Sequence, residues 1–337
     1  MKWGDVMAEY FIQDSSLSAI ADAIRLKTGG VDKLTPNEMA GAINGIDSDD
    51  MSSEIVSGMI SEYSNSSIKL IGNYAFNSCT SLTNVSFPAC TSIGEEAFYN
   101  CTSLTSVNFP ACENIDYYAF VNCTSLTSVD FPACTSIGSS AFYLCTSLTS
   151  VSFPVCTNIG YRAFSSCTSL TSTNFPVCES IDNYAFDGCS SLTSVNFPAC
   201  TSIGDGVFDG CSSLTSVNFP VCTSIGDRAF YYCTSLTSAS FPVCTSIGSY
   251  AFYYCTSLTS ASFPVCTSIG NSVFRGCTSL TSLYLTGSSL CTLGGISVFY
   301  QTPIASGTGY VYVPLSLVGS YRAATNWSSI AAQISAI

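Results

Sequence analysis

The chain has no histidine and only nine lysines and arginines in 337 residues. Without histidine, neither a Ser-His nor a Cys-His nucleophile pair can be assembled, and zinc loses its commonest nitrogen ligand. No CxxC pair, P-loop, GxSxG or dinucleotide fingerprint occurs, so the usual marks of metal, phosphate or acyl chemistry are missing. Only 9% of the residues are charged, and the formal net charge is −13. Such a chain lacks the basic patch that would neutralise nucleic-acid phosphates or anionic lipid. No apolar run approaches the ~20 residues of a membrane span, and the opening MKWGDVMAEYFIQDSS lacks the apolar core of a secretory signal. These absences lead us to expect a non-catalytic protein without a cofactor, with no nucleic-acid partner and no membrane insertion.

What is abundant is cysteine, and it is periodic. Nineteen of the 20 cysteines fall on every eleventh residue from Cys79 to Cys277. They mark a 22-residue unit, written out in residues 101–122 as CTSLTSVNFPACENIDYYAFVN. A period of this length means stacked coils, none of which can bury its apolar face alone. Within one unit the expected core is Cys101, Leu104, Val107, Phe109, Cys112, Ile115, Ala119 and Phe120. The stretch before Pro110 reads as one short strand, with Val107 and Phe109 inward and Asn108 outward. Pro110 ends it, and the AF pair with the next cysteine makes a compact return. Cysteines of one column stack with parallel Cβ vectors, which disfavours bridging. Reduced, buried thiols therefore suit both columns better than disulfides or metal.

The recurring LxxVxFPxCxxIGxxAFxxC pattern over residues 70–285 resembles the BspA-like class of bacterial leucine-rich repeats. The resemblance implies an α/β solenoid of about ten 22-residue rungs, with a parallel sheet on one face. It also implies recognition of a cell surface. The usual valine before TSIG is replaced here by cysteine, as at Cys90, Cys112 and Cys134.

Charge density divides the chain. Residues 1–54 carry ten acidic and four basic side chains, and the other 283 residues carry 17 charges in all. We expect residues 1–50 to form a helical attachment segment with a linker, and 51–71 a cap rung. The repeats should then run over 72–285, and a C-terminal cap of strand plus helices over 286–337. The helix face Leu17, Ile20 and Ile24, and the capping box at Thr35-Pro36-Asn37-Glu38, support two helices near the start. The segment SLSAIADAIRLKTGGVDKLTPNEMAGAINGI resembles one found near the N-termini of phage and prophage tail-associated proteins. That likeness implies a virion setting with virion proteins as partners of residues 1–50. A bacterial cell-surface adhesin is the alternative.

Variation between units concentrates beside the AF pair, where Tyr, Ser, Asn, Asp, Gly and Arg alternate, the palette of adaptable binding surfaces. One 22-residue step sets Tyr231 over Tyr253 and Tyr232 over Tyr254, flanked by Tyr250, Arg228 and Arg275. These seven residues are the candidate ligand-binding patch for a protein or glycan on a cell surface. The bland alternative is that the rings merely shield the convex side. The same step stacks Asp187 on Asp209 and Asp205 on Asp227, a weak calcium candidate set against hydrated, exposed aspartates. The hydroxyl-rich TSLTS columns fit either a solvated strand face or a structural, ice- or glycan-facing scaffold.

Overall fold

In the computed structural model, residues 62–337 are described. The expected attachment segment over 1–50 and residues 51–61 of the expected cap rung lie outside them. The chain divides into two compact units, one ending at Cys156 and one beginning at Thr157. Both are parallel-strand solenoids with 22-residue coils.

Each coil contains two strands rather than the single strand expected. The first is three residues long, as in Ser106–Asn108, and the second is the middle pair of the TSIG stretch, as in Asn114–Ile115. In the first unit Glu62–Ser64, Asn84–Ser86 and Ser106–Asn108 pair in parallel, while Leu70–Ile71, Ser92–Ile93, Asn114–Ile115 and Ser136–Ile137 form a second row. In the second unit the short strands pair in succession from Asn158–Ile159 to Thr292–Leu293. The partners of Ile159, Ile181 and Ile203 lie 22 residues on, at Ile181, Ile203 and Ile225. Identical residues therefore stack on themselves, and a one-residue slip would turn every core side chain outward.

The return run contains no helix. It is a string of turns with two left-handed residues per coil, such as Arg228 (φ 58°) and Tyr232 (φ 56°). Alternate N–H groups point along the stack: Arg228 donates to Ser249 O at 2.9 Å, Phe230 to Ala251 O at 2.8 Å and Tyr232 to Tyr253 O at 2.9 Å. Between them Tyr231 N–H closes back on Arg228 O at 3.0 Å. A third ladder thus satisfies backbone that a helix would have satisfied internally. Among the described residues helix enters only in the C-terminal cap, at Pro303–Ser306 and Val318–Ala323, with 3-10 turns beside it.

The interior is a set of columns. In coil 101–122 all eight expected core residues are buried except Val107, which is half-buried. Phe230 stacks on Phe252 at 5.1 Å and 10°, while Phe241 of the other phenylalanine column meets Phe252 nearly edge-on, at 6.3 Å and 64°. All 20 cysteines are free and buried. They also donate. Cys123 Sγ–H reaches Phe98 O at 3.2 Å, and Cys112 Sγ–H reaches Asn114 O at 3.2 Å. One column bonds a carbonyl of the preceding coil and the other bonds within its own coil. A valine in the second column would leave that carbonyl without this donor. Burial pushes the Cys112 thiol up to about 12 and the Cys222 thiol up to about 11, which makes these two poor nucleophiles.

The turn after the isoleucine is held by side-chain acceptors. Asn183 Oδ1 accepts from Asp205 N–H at 2.7 Å, Asp205 Oδ1 from Asp227 N–H at 2.8 Å, and Asp227 Oδ1 from Ser249 N–H at 2.6 Å. Tyr161, in the coil before Asn183, has no carboxamide or carboxylate to give. There Asp182 stands where other coils carry glycine, and its Oδ1 takes Asn183 N–H at 2.7 Å. Asp116 accepts from Tyr117 N–H in the same way, at 2.8 Å.

At the far end a three-residue insertion around Gly287 loops outward, and Cys291 re-enters its column with its sulfur 3.8 Å from that of Cys266. Trp327 Nε1–H donates to Cys291 O at 2.7 Å, and Tyr321 Oη accepts from Cys291 N–H at 3.0 Å. The tail of the cap, past its helices, finishes as a strand. Ile334–Ala336 pairs in parallel with Tyr310–Val313 and covers the outer edge of that strand. Arg322 Nη2 holds the turn by donating to Ile334 O at 2.8 Å.

Candidate functional site

The candidate residues sit on the return runs of the second unit, and the fold brings all seven together. A non-glycine residue at positive φ costs roughly 1–2 kcal/mol, yet Arg228, Tyr232, Tyr250 and Tyr254 all occupy such positions. The third backbone ladder holds them there. Their Cα–Cβ bonds project from the run, so the side chains lie outside the core and are free to differ from coil to coil.

Tyr231 and Tyr253 stack at 4.9 Å and 5°, and Tyr232 and Tyr254 at 5.3 Å and 16°. The two stacks touch edge to face, with Tyr231 and Tyr232 at 4.6 Å and 74°. Tyr250 meets Tyr253 at 5.7 Å and 65°. Both flanking arginines use ring faces. Arg228 lies 5.0 Å from the Tyr231 centroid, and Arg275 lies 6.0 Å from that of Tyr253. Partial burial and the neighbouring phenols push the Tyr231 hydroxyl up, so at neutral pH it is a donor.

Two further members, Tyr300 and Gln301, escaped the sequence reading. Arg275 is held between Tyr253 and Tyr300, 4.8 Å from the latter. Tyr254 Oη donates to Gln301 Oε1 at 3.4 Å. The Tyr254 ring lies over Gly276 (φ 77°), where an added Cβ would stand 2.9 Å from ring carbons. The insertion before Cys291 moves Tyr300 and Gln301 out of the 22-residue phase. The signal was nonetheless present, since SVFYQ at 297–301 repeats SVFRG at 272–276. A smaller cluster of the same kind forms around Arg162, 5.3 Å from the Tyr161 ring and 5.5 Å from the Tyr184 ring.

The four aspartates fall into two places. Asp205 and Asp227 are exposed and belong to the backbone-capping column described above. Asp187 and Asp209 are half-buried on the return run. Desolvation and then the like charge of Asp187 push Asp209 up to about 6, while Arg228 opposes the shift. Desolvation also raises Asp187, against the Ser165 hydroxyl, which donates at 3.3 Å, and the charge of Arg162. Among the described residues no cluster of three or more His, Cys, Asp or Glu side chains suited to a metal is present. The threonine hydroxyls of the repeat bond backbone, as Thr259 Oγ1–H does to Thr237 O at 3.0 Å.

The repeat profile described as BspA type leucine rich repeat region (6 copies) matches residues 69–193 and 179–306. The chain belongs to the BspA-type leucine-rich repeat family. Its solved relatives include a leucine-rich repeat protein from Bacteroides ovatus, 25% identical over 83% of this chain and 85% of that one, with a TM-score of 0.48. A leucine rich cell surface protein from Faecalibacterium prausnitzii is 26% identical over 68% and 78%, at a TM-score of 0.36. The pneumococcal vaccine antigen PcpA is 17% identical over 82% and 77%, at 0.48. No curated protein matches the chain in sequence. The family assignment rests on the repeat match. Within this BspA-type chain, the cysteine before each TSIG stretch makes the second column of thiol donors.

Proposed function

We propose that this BspA-type protein is a non-catalytic recognition protein that engages a cell surface through the tyrosine–arginine ridge of its second unit. The supporting observation is that large, variable side chains occupy left-handed positions such as Tyr232, Tyr250 and Tyr254, where glycine would be less strained. Nothing in the core calls for these rings. Glycine takes the equivalent positions at Gly188, Gly206 and Gly210, and the ladder continues through them. Rigid tyrosines lose little conformational freedom on binding and offer both apolar edge and hydroxyl. Among the described residues no helix is long and apolar enough to cross a membrane, so the surface reading does not depend on insertion there.

The carrier of the ridge is either a phage or prophage particle, held through residues 1–50, or a bacterial envelope. Co-sedimentation with particles supports the first, and recovery with envelope fractions supports the second. The ridge itself is tested by binding the intact protein to a panel of whole bacterial cells and extracellular-matrix proteins. Saturable binding to a subset is expected. Uniform absence of binding would turn the assignment to a scaffold.

A further inference from the structure

The charges of this acidic chain are segregated. All 22 acidic residues lie at or before Asp227, and residues 228–337 contain three arginines and no Asp or Glu. The ridge begins where the acids end. Arg322 is engaged with the cap, donating to Ile334 O at 2.8 Å, which leaves Arg228 and Arg275 as the cations of the patch.

Both are held against rings, and Arg228 also feels the charge of Asp209, half-buried one coil before Tyr231. Arg228 lies over Tyr231, and Arg275 lies between Tyr253 and Tyr300. Neither guanidinium makes a hydrogen bond or a salt bridge to the protein among the described residues, and the Arg275 Nε is buried without a partner. Stacking on a π face fixes the plane of a guanidinium while leaving its terminal N–H groups free to fork onto an oxyanion. The tyrosine rings point the same way. The faces of Tyr231, Tyr253 and Tyr254 meet neighbouring rings, an arginine or Gly276, so what these three show outward is the electropositive ring edge and the phenol hydroxyl.

Beside these donors stands a group that also accepts, the Gln301 carboxamide, which takes the Tyr254 hydroxyl at 3.4 Å, and the phenol oxygens can accept as well. A polyhydroxylated chain uses donors and acceptors together, whereas a run of acidic peptide side chains would use only donors. Arg228 and Arg275 stand two coils apart along the stack, a rise of about 10 Å, and in neighbouring columns three chain positions apart, so one compact anion would not serve both. We infer that the ridge binds a linear polysaccharide bearing carboxylates, with Arg228 and Arg275 on successive acidic groups and the tyrosine hydroxyls on the sugar hydroxyls between them. This deepens the proposed recognition function and rests on it.

The test is calorimetry of the full chain with sodium hyaluronate as the carboxylated probe, and with neutral dextran and poly-L-glutamate as comparators. The expected result is saturable hyaluronate binding that weakens with added salt, with no dextran binding and weaker poly-L-glutamate binding. R228Q/R275Q should weaken hyaluronate binding about a hundredfold with an unchanged thermal transition. R228K/R275K, which keeps the charge and loses the fork, should fall between. Equal affinity for dextran, affinity for poly-L-glutamate as high as for hyaluronate, no hyaluronate binding, or indifference to R228Q/R275Q would each overturn the inference. Whole-cell binding separates the two readings. If cells still bind R228Q/R275Q as they bind the unaltered chain, surface recognition survives and the polysaccharide assignment falls. If hyaluronate binds but no cell does, the surface reading is the one that fails.

Discussion

The interior columns and the return-run ridge are built on the same 22-residue step but obey opposite rules. Inside, each residue stacks on its own kind: Phe230 lies on Phe252 and Ile225 pairs with Ile247. A change in one coil is felt in both neighbours, so the columns barely vary. On the ridge the backbone is satisfied by its own ladder, from Arg228, Phe230 and Tyr232 to the next coil. The side chains there carry no obligation to match. One periodic fold thus separates residues that hold the coils together from residues that are free to serve recognition.

That contrast can be broken most easily from the inside. Phe230 is fully buried in its column, so Phe230→Ala should cost about 3–5 kcal/mol in urea unfolding. Tyr232→Ala, at an exposed left-handed position, should cost about 1 kcal/mol or less. Equal losses would show that the rings are structural. A smaller effect of opposite sign is expected where the interior itself departs from its rule. Thr173 stands in the column that carries Val195 and Val217, and its Oγ1 is buried without a partner. Thr173→Val should therefore stabilise by about 1 kcal/mol, read as a rise in urea midpoint. A fall would mean that the hydroxyl has a role.

The smallest effect belongs to the border between the two regions. Asp209 ionises at about 6 in the folded chain, against about 3.9 unfolded, so folding takes up a proton between those values. Its contribution to stability is present below about pH 4 and is lost as pH rises through about 6. Asp209→Asn should raise the thermal midpoint at pH 7 and leave it unchanged at pH 4. A midpoint raised equally at both values would rule out ionisation as the cause.

The period, the cysteine columns and the Tyr231/Tyr253 and Tyr232/Tyr254 pairings were legible because a fixed repeat converts sequence distance directly into stacking. The second strand of each coil was not. A two-residue segment such as Ser224–Ile225 is too short to show alternation, and it exists only because the next coil supplies its partner. The thiol donations were hidden for a related reason, since Cys123 meets a carbonyl 25 residues earlier, outside the apparent 22-residue step. Asp182 read simply as a turn residue. That it caps Asn183 N–H where the preceding coil carries Tyr161 is a relation between neighbouring coils. Tyr300 was lost to the insertion, although the VF pair at 298–299 kept its mark.

The most direct measurement is whole-cell binding of Tyr231→Ala/Tyr253→Ala alongside its thermal transition. The account predicts that saturable binding is abolished while the transition stays close to that of the unaltered chain, well above that of Phe230→Ala. Retained binding, or a collapse of the transition to the level of Phe230→Ala, would contradict it.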